Sequence, residues 1–105
     1  EDGSVDWALD AAQIERRVRG FQPWPTAYTK YGSHRLVIWR AGVLSEEQTP
    51  GSEGEIIKAH GDELVVACGD ETLLRIEEVQ PEGKRRMSAR DFLNGARVRV
   101  GERFG

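Results

Sequence analysis

The sequence offers little material for catalysis. Its 105 residues include one cysteine, one methionine and two histidines. Cys68 has no partner for an internal disulfide, and its place in the apolar run Leu64-Val65-Val66-Ala67-Cys68 predicts burial rather than reactivity, in a reducing compartment. His34 opens a predicted strand and His60 falls in a predicted turn, so both are expected at the surface. No C-x-x-C, H-E-x-x-H or calcium-loop spacing is present, which leaves no metal site to assign. The glycines never form a phosphate-cradling loop between a strand and a helix. The adjacent acids Glu46-Glu47 and Glu77-Glu78 read as solvated, since successive strand residues point to opposite faces. Also lacking are an apolar run of the roughly 20 residues that a membrane helix needs and the pattern of a secretory signal. The reading therefore assigns no catalytic residue, no metal and no membrane partner.

What is present suits one packed domain. The 38% of hydrophobic and 31% of charged residues form an ordinary globular balance, and the length allows one core but not two. The chain opens at Glu1 with a helix signal close behind, and a fragment of a longer protein is expected. Net charge is −3, but it is unevenly spread: residues 1–79 carry 15 acids and 8 bases, residues 80–105 carry 3 acids and 7 bases. The last quarter is thus at +4. A local basic face can attract a polyanion despite an acidic total, because potentials act within about a Debye length, roughly 8 Å at physiological salt. A solvated charged surface would give the same count.

Asp10 and Gln13 form a capping-box pattern, and Ala11, Ile14 and Val18 share a helical face, which predicts a helix from Ala11 to Arg19 stopped at Gly20. Phe21-Gln22-Pro23-Trp24-Pro25 then reads as a rigid strap, with Trp24 either capping the core or meeting another domain. From His34 the texture is β. Strands are expected over 36–43, 55–59, 63–68 and 73–79, joined by the turns His60-Gly61-Asp62 and Gly69-Asp70. Ser88 and Asp91 mark a second helix that ends at Asn94-Gly95, and Arg97-Val98-Arg99-Val100 alternates as a closing strand would. Short strands with tight glycine turns argue for an antiparallel barrel or sandwich.

The chemistry on offer is recognition. Lys84, Arg85 and Arg86 follow a Pro-Glu-Gly turn, Arg90 lies on the adjoining helix, and Arg97, Arg99 and Arg103 continue the series. Such groups bind phosphates by charge-assisted hydrogen bonds and counterion release, and they position a nucleic acid without reading its bases.

Two stretches carry a resemblance. Val5-Asp6-Trp7 with the segment from Ile14 to Pro25, and the segment from Val79 to Gly95, resemble the linker helix and closing signature of the methionyl-tRNA formyltransferase family. Pro50-Gly51 and Ala67-Cys68-Gly69-Asp70 fall between them in the expected order. Thr26 and Glu71 depart from it, standing where the family commonly has glycine.

The resemblance implies a mainly β, α+β fold: a small open OB-like Greek-key β-barrel with an N-terminal helix and a short helix before the last strand. Residues 1–33 would form the linker helix and strap, and residues 34–105 the tRNA-binding barrel, in one structural unit. It implies a parent enzyme that transfers a formyl group from 10-formyltetrahydrofolate to methionyl initiator tRNA in translation initiation. Its catalytic Asn, His and Asp would lie in an N-terminal domain, so this fragment would be inactive alone and hold no cofactor. Lys84, Arg85, Arg86 and Arg90 would contact RNA, with Arg16, Arg17 and Arg19 lining the approach, and Trp7 and Trp24 would brace the two domains. The partners implied are initiator tRNA and the catalytic domain of the same chain, in a monomer of the bacterial cytoplasm or a eukaryotic organelle. The competing reading is a structural, interdomain barrel of a formyltransferase acting on a small molecule.

Overall fold

The computed structural model describes residues 3–22, 26–44 and 51–105. The capping box at Asp10 and Gln13 forms as expected, with both reciprocal bonds, and starts helix α1 (Ala11–Gly20). Ile14 and Val18 are almost wholly buried on its inner face. A six-stranded antiparallel sheet follows. Its strands are β1 (Ala27–Tyr31), β2 (His34–Leu44), β3 (Ile56–His60), β4 (Glu63–Ala67), β5 (Leu73–Pro81) and the short β6 (Met87–Ser88). The order across the sheet is β1-β2-β5-β4-β3, with β6 attached to β5. Helix α2 (Ala89–Ala96) comes last, its N-terminus capped by the Ser88 hydroxyl, which accepts from the Asp91 amide. The fold is thus mainly β with two helices, and its sheet is not closed strand to strand.

Strand β2 is long enough to serve both halves of the sheet because it bends at a bulge. Its pairing with β5 slips between Ile38 and Arg40 and again between Arg40 and Ala41, and such insertions bend and twist a strand. Leu36 and Ile38 face the core, where they meet Leu64, Leu74, Ile76 and Val79. Val65, Ala67 and Leu73 form a separate small cluster with Leu44 and Ile57.

Three sequence expectations are corrected. Strand β1 lies within the stretch read as linker and strap: Tyr31 pairs with His34 across a hairpin turn, so the division at residue 33 falls inside a turn of the sheet. Helix α2 runs past Asn94-Gly95 to Ala96 and ends at Arg97, which takes the left-handed conformation (φ 55°). That turn breaks the alternation expected of residues 97–100. Val98 goes into the core at 8% exposure while Val100 stays out at 62%, and no strand forms there.

The tail does its closing work further on. Ile56 donates to the Glu102 carbonyl (2.7 Å), Phe104 to Gly54 (2.9 Å) and Gly105 to Lys30 (2.9 Å). Isolated bridges join Glu55 to Arg103 and Tyr31 to Phe104. Residues 102–105 therefore stitch the β3 edge to the β1 edge, and an edge that would otherwise expose unpaired amides is covered.

Candidate nucleic-acid interface

The Pro81-Glu82-Gly83-Lys84 turn projects the basic cluster from the end of β5. Lys84 donates its amide to the Pro81 carbonyl (3.0 Å) and Glu82 to that of Arg35 (2.9 Å), which ties the turn to the start of β2. Gly83 holds a φ of 77°, a conformation that residues with a side chain adopt at a cost. Lys84, Arg85 and Arg90 are exposed, and none has a carboxylate partner among the described residues.

Arg86 is differently placed. Its guanidinium bonds Glu78 (2.6 Å from Nη2, 3.0 Å from Nε) and lies 4.7 Å from the centre of the Trp39 ring. Trp39 is fixed in turn: its indole N–H donates to Gln80 (2.9 Å), and Gln80 donates to the Lys84 carbonyl (3.0 Å). A second cation–aromatic pair sits beside it, with Arg35 4.1 Å over the Tyr28 ring. Arg35, Val37 and Trp39 alternate with buried Leu36 and Ile38, so these pairs occupy the outer face of the sheet.

Just past the end of helix α1, Gln22 donates to the backbone carbonyls of Val18 and Trp39 and so ties the helix to β2. Arg16, Arg17 and Arg19 are exposed on this helix. Arg19 is paired with Glu15 one turn back (2.7 Å), which reduces its free charge. Arg103 is drawn away from the cluster, donating to the Glu53 carbonyl (2.7 Å) beside β3. The basic residues therefore do not all converge. Lys84, Arg85 and Arg86 share one turn next to Trp39, Arg90 stands on the helix that follows, and Arg103 belongs to the tail seam.

Trp7 is packed into this domain rather than displayed on its surface. It is 6% exposed, donates to the Thr29 hydroxyl (3.0 Å) and stacks on Phe104 at 5.9 Å, so it wedges the tail against β1 inside this domain. Trp24, the other residue expected to brace a neighbour, lies outside the described residues. So do Pro50 and the Glu46-Glu47 pair.

A feature not read from the sequence is a groove of about 460 Å³ between the β1–β2 turn, the β5 turn and α2. Leu36, Pro81, Met87 and Phe92 line it, with His34, Lys84 and Asp91 at its polar margin. Its walls come from segments some 60 positions apart in the chain, from Tyr31 to Ala96, which local pattern cannot bring together. Cys68 is buried with its thiol pushed up to about 12, chiefly by that burial, as an unreactive core residue should be. Among the described residues no cluster of three or more potential metal ligands occurs, and no helix is long and apolar enough to cross a membrane.

Fold and surface together define a small antiparallel β domain whose exposed chemistry is a cationic turn beside an aromatic sheet face and a groove. The chain belongs to the family described as formyl transferase, C-terminal domain, which it matches over residues 1–97. It is 44% identical over its whole length to the methionyl-tRNA formyltransferase of Geobacter metallireducens. With that of Magnetococcus marinus it shares 45%, again over the whole chain, and with that of Bacillus licheniformis 38%. The chain spans about a third (32–33%) of the length of each of these relatives. Among solved structures, HypX from Aquifex aeolicus, crystallised with tetrahydrofolic acid, superposes with a TM-score of 0.68 at 19% identity. The match covers 94% of this chain and 18% of that one, and is a likeness of fold.

Proposed function

We propose that this domain holds initiator tRNA for a methionyl-tRNA formyltransferase. The parent enzyme would move a formyl group from 10-formyltetrahydrofolate to methionine carried on that tRNA, in the cytoplasm at the start of translation. The observation that carries the reading is the identity of 44–45% along the entire chain with bacterial enzymes of that name. The basic turn gives it a physical means. Lys84, Arg85 and Arg90 are free to meet phosphates, and Arg86 can join them by leaving Glu78. Arg16 and Arg19, on α1, would line the approach. Catalytic groups, and the folate, would belong to the remainder of the parent chain, and the domain alone would transfer no formyl group.

The competing role, a purely structural barrel in a formyltransferase acting on a small molecule, would leave the cations as a solvated face. Filter binding of initiator tRNA separates the two. Three phosphate contacts give a log–log salt slope of about −2.7, so affinity should fall roughly 40-fold between 50 and 200 mM salt. Replacing Lys84, Arg85 and Arg90 by alanine should flatten that slope. Binding that ignores both salt and the triple substitution would defeat the proposal.

A further inference from the structure

The groove between α2 and the β1–β2 turn has a composition that a phosphate-gripping surface does not require. Its floor is apolar, from Leu36, Met87 and Phe92, and Tyr31 and His34 stand along one wall. The Tyr31 ring is held in place by edge contacts with Phe92 (6.0 Å) and Phe104 (5.7 Å), and its hydroxyl donates to Glu102 (2.6 Å). Its volume of about 460 Å³ is that of a small-ligand site, a class that runs from roughly 300 to 1,000 Å³.

The margin carries charge of both signs. Lys84 is unpaired among the described residues, and it belongs at once to the groove and to the basic turn. In the same turn, Glu82 is engaged: its carboxylate accepts the Arg35 amide (2.9 Å) and lies 3.8 Å from the His34 ring. Asp91 is not engaged. Its backbone amide is capped by Ser88 (3.1 Å), and Asp91 lines the groove with no partner for its carboxylate among the described residues. A phosphate alone would be repelled by Asp91, and a purely apolar ligand would leave both charges unsatisfied. A nucleotide carries an anion at one end and N–H donors on the base edge at the other, and so matches this margin.

We propose that the groove takes one unpaired nucleobase of the bound RNA. The base stacks against His34 and the apolar floor, the adjoining phosphate meets Lys84, and an exocyclic amino group donates to Asp91. The inference rests on the RNA-binding reading and adds a preference to it. Unpaired bases are recognised by stacking on aromatic side chains and by their hydrogen-bonding edges, and carboxylates accept from the cytosine amino group. Uracil fits poorly, because its N–H is flanked by two carbonyl oxygens that a carboxylate repels.

Fluorescence anisotropy with three RNA hairpins of one stem tests this: blunt-ended, with a four-cytidine 3′ overhang, and with a four-uridine 3′ overhang. The cytidine overhang should bind about tenfold tighter than the blunt hairpin, within the range for stacking one base, and tighter than the uridine overhang. Ala96→Phe, at an exposed position on the groove wall, should remove the overhang advantage and leave blunt binding unchanged. Asp91→Ala should bring the cytidine and uridine overhangs to equal affinity. Circular dichroism confirms that each variant is folded. If blunt and overhang hairpins bind the unmodified chain equally, or if folded Ala96→Phe keeps the advantage, the groove is not a base site and the phosphate-gripping role stands. If no hairpin binds at all, both readings fall together.

Discussion

Two residues that the family resemblance expects to be glycine, Thr26 and Glu71, stand on backbone that disfavours a side chain. Thr26 has a φ of 69° and Glu71 one of 56°. Glycine would sit at either position with less strain, since left-handed backbone crowds a Cβ, and a β-branched residue suffers most. Thr26→Gly and Glu71→Gly should each stabilise the domain by roughly 0.5–1 kcal/mol, strain relief being partly offset by the greater freedom of glycine in the unfolded chain. Urea denaturation measures this, and a lower midpoint for both variants would contradict it. Gly69, next to this turn, is constrained differently. A Cβ there would lie 1.8 Å from the Ala8 carbonyl oxygen, because the Gly69 amide donates to Leu9 (2.9 Å) where the N-terminal segment crosses. Arg86 makes the other prediction at this scale. Glu78→Gln removes the charge that holds it, and RNA affinity should rise by up to about fivefold, the range of an exposed ion pair. Unchanged or weaker tRNA binding would show that Arg86 does not take part.

Among the elements, the tail depends most visibly on pH. Tyr31 donates to Glu102, whose carboxyl is held below its usual range first by that bond and then by the Arg99 amide. The tyrosine is pushed up to about 12, first by burial and then by the same bond. The Glu102 contribution is present above the unfolded carboxylate value, about 4.3, and is lost as pH falls through its lower folded value. The Tyr31 contribution is complete below about 10 and is lost as pH rises through about 12. Thermal unfolding followed across pH should therefore show the seam weakening at both extremes, and Tyr31→Phe should flatten both limbs. An unaltered profile in that variant would mean that the bond does not hold the tail. The sequence concealed this element for a local reason: nothing in the identity of Arg97 announces a left-handed turn, so the alternation of 97–100 reads as a strand. Strand β1 was hidden because it follows directly on a proline-rich segment and alternates Tyr28 and Lys30 with core-facing Ala27 and Thr29. By contrast, β2 through β5 and both helix starts were legible, since β-branched runs, glycine turns and capping pairs are written within a few residues.

For the whole molecule, the cationic turn could be read as a sequence but its convergence could not. Whether Arg86 points to solvent or to Glu78 depends on β5 and β6 pairing, and whether Arg103 joins the cluster depends on where the tail is sewn. Trp7 misleads for the same reason, because its burial is completed by Phe104, 97 positions further on. In the parent enzyme the proposed RNA-gripping role would have a kinetic signature. Removing Lys84, Arg85 and Arg90 should raise KM for tRNA by tenfold or more, with kcat and the KM for the folate little altered, because uniform binding is lost and the chemical step is not. A fall in kcat with KM unchanged would place these residues elsewhere in the reaction.

One consequence follows from the outer edge of β1. Tyr28 donates to Gly3 and accepts from Val5, while two residues on, Lys30 accepts from Gly105. The two segments thus share a single docking rail, two residues apart along β1. A short glycine bridge should join them without disturbing anything else, and new termini could then be cut at the exposed Gly61-Asp62 turn. Such a rewired protein should fold to the same shape, and in it neither segment could peel from the rail unless the bridge went with it.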